Sequence, residues 1–276
     1  MNRDDLTWTD YDAVLFDLDG VITPTAEVHM HAWAAMFTDF LERRGEAPYA
    51  EADYFAHIDG RPRSEGVAAM LASRGIELPW GDPADDPSAE TVCGLGNRKN
   101  RAFSEVLEAD GVEAYPGSVA LVDRLLEMGR RVAIVSSSAN APDVLRAAGI
   151  IDKFETIVDG AVARDRQIAG KPKPDTYVYA AEQLGAPVAR AVVVEDAISG
   201  VQAGDAGDFG LVIGVDRGVG ADALLENGAD LVVADLAELV PTAVEGSSSW
   251  RWAPRTPRRR PVTGSTGTSS RSIPGG

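Results

Sequence analysis

The chain has 276 residues and a mass of 29.2 kDa, enough for one large or two modest domains with a buried core. Its single cysteine, Cys93, cannot form an internal disulfide, which excludes a disulfide-stapled fold and favours a reducing, cytoplasmic location. A net charge of −17 disfavours nucleic acid and anionic membranes as partners, and no apolar run approaches the roughly 18 residues of a membrane helix.

Short apolar runs alternate with helical patterns along the chain, which is typical of a parallel sheet covered by helices on both faces. A helix is expected after Pro174, running from Tyr177 to Leu184 and ending near Gly185. The sequence therefore predicts a doubly wound α/β core. Its six predicted strands are rich in β-branched residues and cover 13–16, 132–135, 156–159, 191–194, 211–214 and 231–233.

More than a hundred residues separate Phe16 from Val132, where one crossover connection needs about thirty. Within this gap, helical spacing predicts helices around Met30 to Leu41, from Arg63 to Arg74 and from Thr91 to Glu108. The sequence thus predicts a helical cap, residues 24–112, inserted after the first strand. The α/β core comprises residues 1–23 and 113–245.

Residues 246–276 are rich in Ser, Gly, Pro and Arg, with six arginines and no acidic residue after Gly246. A segment with so few aliphatic side chains cannot offset its own ordering entropy by burial. We therefore expect a disordered basic tail, with a contact between its arginines and an anionic partner as the weaker alternative.

Two aspartates follow the first predicted strand in the sequence FDLDGVIT. Asp17 and Asp19 stand at the strand end where open α/β sheets bind ligands. Acids two positions apart can divide their roles, one facing a metal and an electrophile and the other moving a proton. For this pair taken alone, a plain Asp-Gly turn is an equal alternative.

A second acidic pair, Glu195 and Asp196, follows the apolar strand 191–194 in VVVEDAISG. If that strand neighbours the first, three or four carboxylates converge and require a cation between them. Carboxylate oxygens are hard ligands, which indicates Mg²⁺. For Asp196 alone, the alternative is an N-cap of the helix that follows Ala197.

Two further segments offer groups for a phosphate. The hydroxyls of Ser136, Ser137 and Ser138 follow the second strand at a strand-to-helix turn, where free N–H groups suit phosphate oxygens. Lys171 lies in the rigid loop AGKPKPD of a chain with only four lysines. A cation placed there would balance charge during phosphoryl transfer. An ordinary serine-rich turn is the alternative for the first segment, and a solvated charge is the alternative for Lys173 in the second.

The order of these motifs is more specific than any one of them. Because its motifs occur in this order, the chain from about Tyr11 to Leu239 resembles the haloacid dehalogenase superfamily of phosphotransferases. Those enzymes carry a similar cap. The resemblance implies that Asp17 forms an aspartyl phosphate and that Asp19 is the general acid and base. It also implies that Ser136 and Lys171 bind the transferred phosphate, and that Mg²⁺ is held by Asp17, the main-chain carbonyl of Asp19 and Asp196, with support from Glu195.

Within that superfamily, the chain is most similar to the β-phosphoglucomutases and their related hydrolases. The similarity rests on FDLDGVIT, the cap segment DGRPRSEGV, the run NRKN and SSSAN. It implies an isomerase that converts β-D-glucose 1-phosphate to glucose 6-phosphate, with glucose 1,6-bisphosphate as the priming phosphoryl donor. We also expect the protein to be a monomer. It assigns proton transfer and substrate binding to a further set, namely His29 beside Asp19, Thr25, Gly60, Arg63, Lys99, Ser137, Ser138 and Asn140.

A sugar-phosphate phosphatase with the same Asp17 chemistry is the main alternative. A mutase must hold a bisphosphate at both ends, and Arg63 offers a bidentate fork for the second phosphate. Pro24 and Asp59 depart from the mutase pattern, and an acid beside Gly60 weakens anion capture, which favours another sugar phosphate or a phosphatase. A non-catalytic binding protein on the same fold is the remotest alternative.

Overall fold

A six-stranded parallel sheet lies at the centre of the computed structural model, which describes residues 3–241. The strands are β1 (Ala13–Phe16), β2 (Arg131–Val135), β3 (Thr156–Val158), β4 (Ala191–Glu195), β5 (Leu211–Val215) and β6 (Leu231–Val233). Their order across the sheet is β3-β2-β1-β4-β5-β6, and all neighbouring pairs are parallel. The predicted α/β class is confirmed, and the predicted strand ends are correct to within one residue. The predicted basic tail, residues 246–276, lies outside the described residues.

Four helices follow β1 before the chain reaches the helix that leads into β2. They are α1 (Thr25–Arg44), α2 (Glu51–His57), α3 (Arg63–Ser73) and α4 (Val92–Asp110). The remaining helices are α5 (Pro116–Glu127), α6 (Ala141–Ala147), α7 (Gly160–Asp165), α8 (Asp175–Gln183), α9 (Ile198–Ala206) and α10 (Ala221–Glu226). Sequence pattern did not identify α2, α5, α6, α7 and α10. Four of these helices, all except α5, have only six or seven residues and are too short to display a helical period.

Both faces of the sheet are buried, as the apolar strands require. Along β1, Val14 and Phe16 pack in a cluster with side chains of α5 and α6, whereas Ala13 and Leu15 pack against α8 and α9. This alternation follows from the two-residue period of a strand. Phe16 is fully buried, which contributes about 1.5–3 kcal/mol of hydrophobic stabilisation.

Helices α1 to α4 have a hydrophobic cluster of their own, which includes Phe37, Met70 and Leu95. Local signals set their ends: Gly45 takes a φ of 68° just after α1, and Thr91 caps α4 by accepting a hydrogen bond from the Gly94 N–H at 2.9 Å. We call this group of helices the cap. Within residues 3–241, no helix has both the length and the apolar character needed to cross a membrane.

The chain leaves the sheet and returns to it by adjacent segments. The N–H of Tyr115 donates to the carbonyl of Ile22 at 2.9 Å, and Ser118 Oγ donates to the carbonyl of Val21 at 2.6 Å. Since β1 lies between β2 and β4, the strand order reverses beside β1, and open α/β sheets bind ligands at the carboxyl ends of the strands at such a point.

Candidate active site

A buried ion pair follows the carboxyl end of β1. Lys171 Nζ lies 2.5 Å from Oδ1 of Asp17 and 2.5 Å from Oε1 of Glu195, and it donates to the carbonyl of Val135 at 3.0 Å. Burial opposes the charge on Lys171, but the two carboxylates outweigh it and raise the pKa of the ammonium. Lys171 therefore stays charged and joins the ends of β1, β2 and β4.

Three carboxylates converge at this point. Oxygens of Asp17, Glu195 and Asp196 all lie within 4.8 Å of one another. Burial raises the pKa of Asp17 well above its ordinary value, opposed by Lys171 and reinforced by Glu195. Burial and the charges of Asp17 and Glu195 likewise raise the pKa of Asp196, whose carboxylate has no hydrogen bond or cation partner among residues 3–241.

This donor set fits a hard divalent cation such as Mg²⁺. One ammonium cannot balance three carboxylates, and oxygen ligands at this spacing are those that Mg²⁺ prefers. The main-chain carbonyl of Asp19, also predicted as a ligand, stays a prediction, and the carboxylate of Asp19 contacts Thr25 and His29 instead of this cluster. Asp196 is not an N-cap, because α9 begins at Ile198 with Ala197 as its capping residue, so the alternative for that residue is wrong.

Asp19 directs its carboxylate toward the first turns of α1. Thr25 Oγ1 donates to Asp19 Oδ1 at 2.5 Å, and Nε2 of His29 faces the same oxygen at 3.3 Å. Burial opposes ionisation of Asp19, but His29, Thr25 and Lys99 outweigh it and lower its pKa to about 2. A single turn thus holds two carboxylates in different surroundings: Asp17 faces Lys171 and the other acids, and Asp19 faces Thr25 and His29.

Lys99 reaches this site from the cap. Its ammonium contacts Nδ1 of His29 and lies about 5 Å from the ring centres of Trp33 and Phe103. Burial lowers the pKa of Lys99 to about 7 and, together with the charge of Lys99, lowers the pKa of His29. His29 also stacks on Phe103, with ring centres 4.0 Å apart.

The serine turn after β2 links the core to the cap. Ser136 Oγ lies 3.4 Å from Asp19 Oδ2, and Ser137 Oγ donates to the carbonyl of Gly60 at 2.7 Å. Ser138 Oγ accepts from the N–H of Asn140 at 3.2 Å. The amide of Asn140 donates to Asn100 Oδ1, on α4, at 2.7 Å. The turn therefore contacts both the carboxylate site and the cap.

All the predicted site residues except Thr25 and Asn140 line a single cavity of about 390 Å³ between the cap and the core. Thr25 and Asn140 contact that lining through Asp19 and Asn100. Arg63, the first residue of α3, is half-buried in the cavity and forms no hydrogen bond or ion pair among residues 3–241. Burial lowers the pKa of Arg63, and the charge of Arg164 lowers it further. Cys93 has a smaller, opposite effect.

Sequence reasoning did not assign three residues near the site. Tyr177 on α8 donates to Glu195 Oε1 at 2.9 Å and lies under Lys171. Asp59 was noted only as a departure, yet burial and the charge of Glu195 raise its pKa to about 6. Arg164 on α7 lines the cavity. Sequence pattern placed Tyr177 only within the helix predicted after Pro174, and no motif singled it out.

Comparisons with known proteins agree with this arrangement. A family model described as haloacid dehalogenase-like hydrolase matches residues 11–208. A protein of Mycobacterium bovis named β-phosphoglucomutase is 48% identical over 238 residues, covering 83% of this chain and 91% of its own length. A β-phosphoglucomutase of Bacillus subtilis is 32% identical, covering 82% of this chain and 94% of its own.

The fold agrees as well. The crystal structure of a β-phosphoglucomutase from Clostridium difficile superposes with a TM-score of 0.67 at 25% identity, covering 83% of this chain and 93% of that one. The family resemblance inferred from the order of the motifs is therefore confirmed.

Proposed function

The chain belongs to the haloacid dehalogenase-like hydrolase family, and from that premise we propose that it is a β-phosphoglucomutase. It would convert β-D-glucose 1-phosphate to glucose 6-phosphate through a phosphorylated Asp17. The observation that carries the proposal is one cavity lined both by Asp17 and by the unpaired cation Arg63. Similarity to proteins named β-phosphoglucomutase over more than four-fifths of the chain supports it.

Asp17 is the nucleophile of the proposed reaction. One of its carboxylate oxygens attacks the phosphorus of glucose 1,6-bisphosphate, and the bond from phosphorus to the sugar oxygen breaks, leaving an aspartyl phosphate. Lys171 contacts Asp17 and stays charged, so it can hold the transferring group as negative charge moves onto the leaving oxygen. Asp17, Asp196 and the carbonyl of Asp19, with support from Glu195, would hold Mg²⁺, which would offset the negative charge of the carboxylates and the phosphate.

Asp19 moves the proton in both half-reactions. It is ionised when the aspartyl phosphate meets β-glucose 1-phosphate, because its pKa is about 2. It therefore takes the proton of the sugar 6-hydroxyl as that oxygen attacks phosphorus and Asp17 is released. In the second half-reaction it returns the proton to the oxygen that leaves the other phosphate. Thr25 and His29 orient the carboxylate between these steps.

Two anion sites distinguish a mutase from a simple phosphatase. The bisphosphate intermediate must be held at one end by Lys171 and Ser136 and at the other by a second set of donors. Arg63 is suited to that second end, since a half-buried guanidinium without an acidic partner favours an anion. Ser138 lines the same cavity, and Asn140 contacts α4 through Asn100, so both are further candidates for this second set of donors.

Cap closure protects the aspartyl phosphate from water. Gly60 accepts a hydrogen bond from Ser137, and a side chain at Gly60 would meet Ser199 Oγ at 1.9 Å, so the cap loop lies directly on the core. Excluding water from the cavity favours transfer to the sugar hydroxyl over hydrolysis.

A product assay tests the proposal. The protein is incubated with anomerically pure β-glucose 1-phosphate, Mg²⁺ and a catalytic amount of glucose 1,6-bisphosphate, and glucose 6-phosphate and inorganic phosphate are both measured. We expect glucose 6-phosphate, with a rate that depends on the bisphosphate, and no turnover by Asp17→Asn. Release of inorganic phosphate in place of glucose 6-phosphate would assign the protein to the phosphatases, the alternative that the family description as a hydrolase favours.

A further inference from the structure

Arg63 shares its cavity with a second arginine, Arg164. Arg63 begins α3 in the cap, directly after Pro62. Arg164 belongs to the core, on the short helix α7 that follows β3. Both residues line the same cavity.

Packing of the two segments accounts for this proximity. A Cβ atom on Gly170, six residues after Arg164, would lie 2.7 Å from Cγ of Pro62. The loop that follows α7 therefore runs against the start of α3. Burial is the main cause of the lowered pKa of Arg63, and the charge of Arg164 is the next. Two cations that lie near each other are expected to have this effect.

Arg164 is available for a ligand. Its one ion pair among the described residues is with its sequence neighbour Asp165, at 3.0 Å, and both side chains are more than half exposed. Exposed pairs of this kind contribute little and are readily exchanged for a better anion. Arg63 forms no ion pair among residues 3–241, so neither arginine is held by a buried acidic partner in that part of the chain.

We propose that Arg63 of the cap and Arg164 of the core together bind the sugar phosphate that is remote from Asp17. This inference rests on the proposed function, because only a mutase must hold a second phosphate while another phosphate is bound at Asp17. Two planar guanidiniums can each bind a phosphate through paired hydrogen bonds. Since one arginine comes from each part of the molecule, a phosphate bound between them also holds the cap closed on the core.

The test measures binding by calorimetry in the Asp17→Asn background, where phosphoryl transfer is blocked. Glucose 1,6-bisphosphate and inorganic phosphate are titrated into that protein and into the same protein carrying Arg164→Gln. Arg166→Gln is the matched control, because Arg166 is exposed, lies two residues away and does not line the cavity. Arg164→Lys tests whether charge without the planar fork is sufficient.

We expect Arg164→Gln to weaken bisphosphate binding about tenfold, as for the loss of one charged hydrogen-bonding partner. Inorganic phosphate binding should change less than bisphosphate binding, Arg164→Lys should be intermediate, and Arg166→Gln should match the parent. Equal bisphosphate affinity in Arg164→Gln and the parent overturns the assignment of Arg164 while leaving the proposed function standing. Failure of the bisphosphate to bind the parent overturns both.

Discussion

Gly20 packs directly against the carboxylate of Asp196 in the cluster formed by Asp17, Glu195 and Asp196. A Cβ atom on Gly20 would lie only 1.8 Å from Oδ2 of Asp196, and Gly20 has a φ of 81°. The turn after β1 therefore requires glycine twice over, for its backbone conformation and for the position of the Asp196 carboxylate.

We expect Gly20→Ala to reduce turnover by at least about 100-fold, since displacement of a reacting group by about 1 Å has that effect. Gly45→Ala is the matched control, because Gly45 also has a positive φ, 68°, but nothing lies within 4 Å of its Cβ position. Both variants should lose about 1–2 kcal/mol of stability from backbone strain. Equal turnover by the two variants would show that the space beside Asp196 is unimportant.

Asp196→Asn should separate metal binding from stability. Burial, Asp17 and Glu195 raise the pKa of Asp196, so its ionised form destabilises the metal-free fold at neutral pH. We therefore expect the metal-free variant to melt at a higher temperature than the metal-free parent, although it needs more Mg²⁺ for half-maximal turnover. The measurements are thermal unfolding with a chelator and a Mg²⁺ titration of activity. A lower melting temperature and an unchanged Mg²⁺ requirement would contradict the predicted role.

Arg63→Ala should damage mutase activity far more than hydrolysis of p-nitrophenyl phosphate, which has no second phosphate. Loss of a charged hydrogen bond corresponds to a decrease in kcat/KM of about 10- to 100-fold for β-glucose 1-phosphate. Arg101→Ala is the control, because Arg101 is exposed on α4 and does not line the cavity. Equal losses on both substrates would argue against a second anion site at Arg63.

Lys99 should make substrate capture depend on pH. Burial lowers its pKa to about 7, so the ammonium loses its proton as pH rises through neutrality and its attraction for phosphate falls. We expect kcat/KM, which reports the free enzyme, to decline above pH 7 in the parent. This decline should be absent in Lys99→Met and retained in Lys173→Met, since Lys173 is exposed. A parent profile that stays flat up to pH 9 would refute the prediction.

Asp59 should add a pH-dependent penalty to stability. Burial and Glu195 raise its folded pKa from 3.8 to about 6, so the folded state binds this proton more tightly than the unfolded state. Ionised Asp59 therefore destabilises the metal-free fold above pH 6 by up to about 3 kcal/mol, and the penalty disappears as pH falls from 6 toward 4. Urea unfolding of chelated protein should show Asp59→Asn to be more stable than the parent at pH 7.5, with the difference shrinking by pH 4.5. Asp152→Asn is the control, because Asp152 is exposed on the surface. A stability difference between Asp59→Asn and the parent that is the same at both pH values would contradict the prediction.

The sequence by itself determined the strands and the charged residues that stand at their carboxyl ends. Apolar β-branched runs predict buried parallel strands because both faces of such a sheet are covered. Asp17 directly follows β1, and Glu195 is the last residue of β4. Their place at the carboxyl edge of the sheet therefore follows from the local sequence pattern. The long gap after Phe16 likewise indicates an insertion, because chain length limits a crossover.

Only the tertiary structure decided which distant side chains meet. Lys99 contacts His29 across 70 residues of sequence because α4 packs on α1, and Tyr177 reaches Glu195 because α8 covers the β1 and β2 side of the sheet. Arg164 comes near Arg63 because the loop after α7 meets the start of α3. Such contacts depend on how separate helices pack, and helical or strand periodicity within one segment carries no information about the segment that it will face.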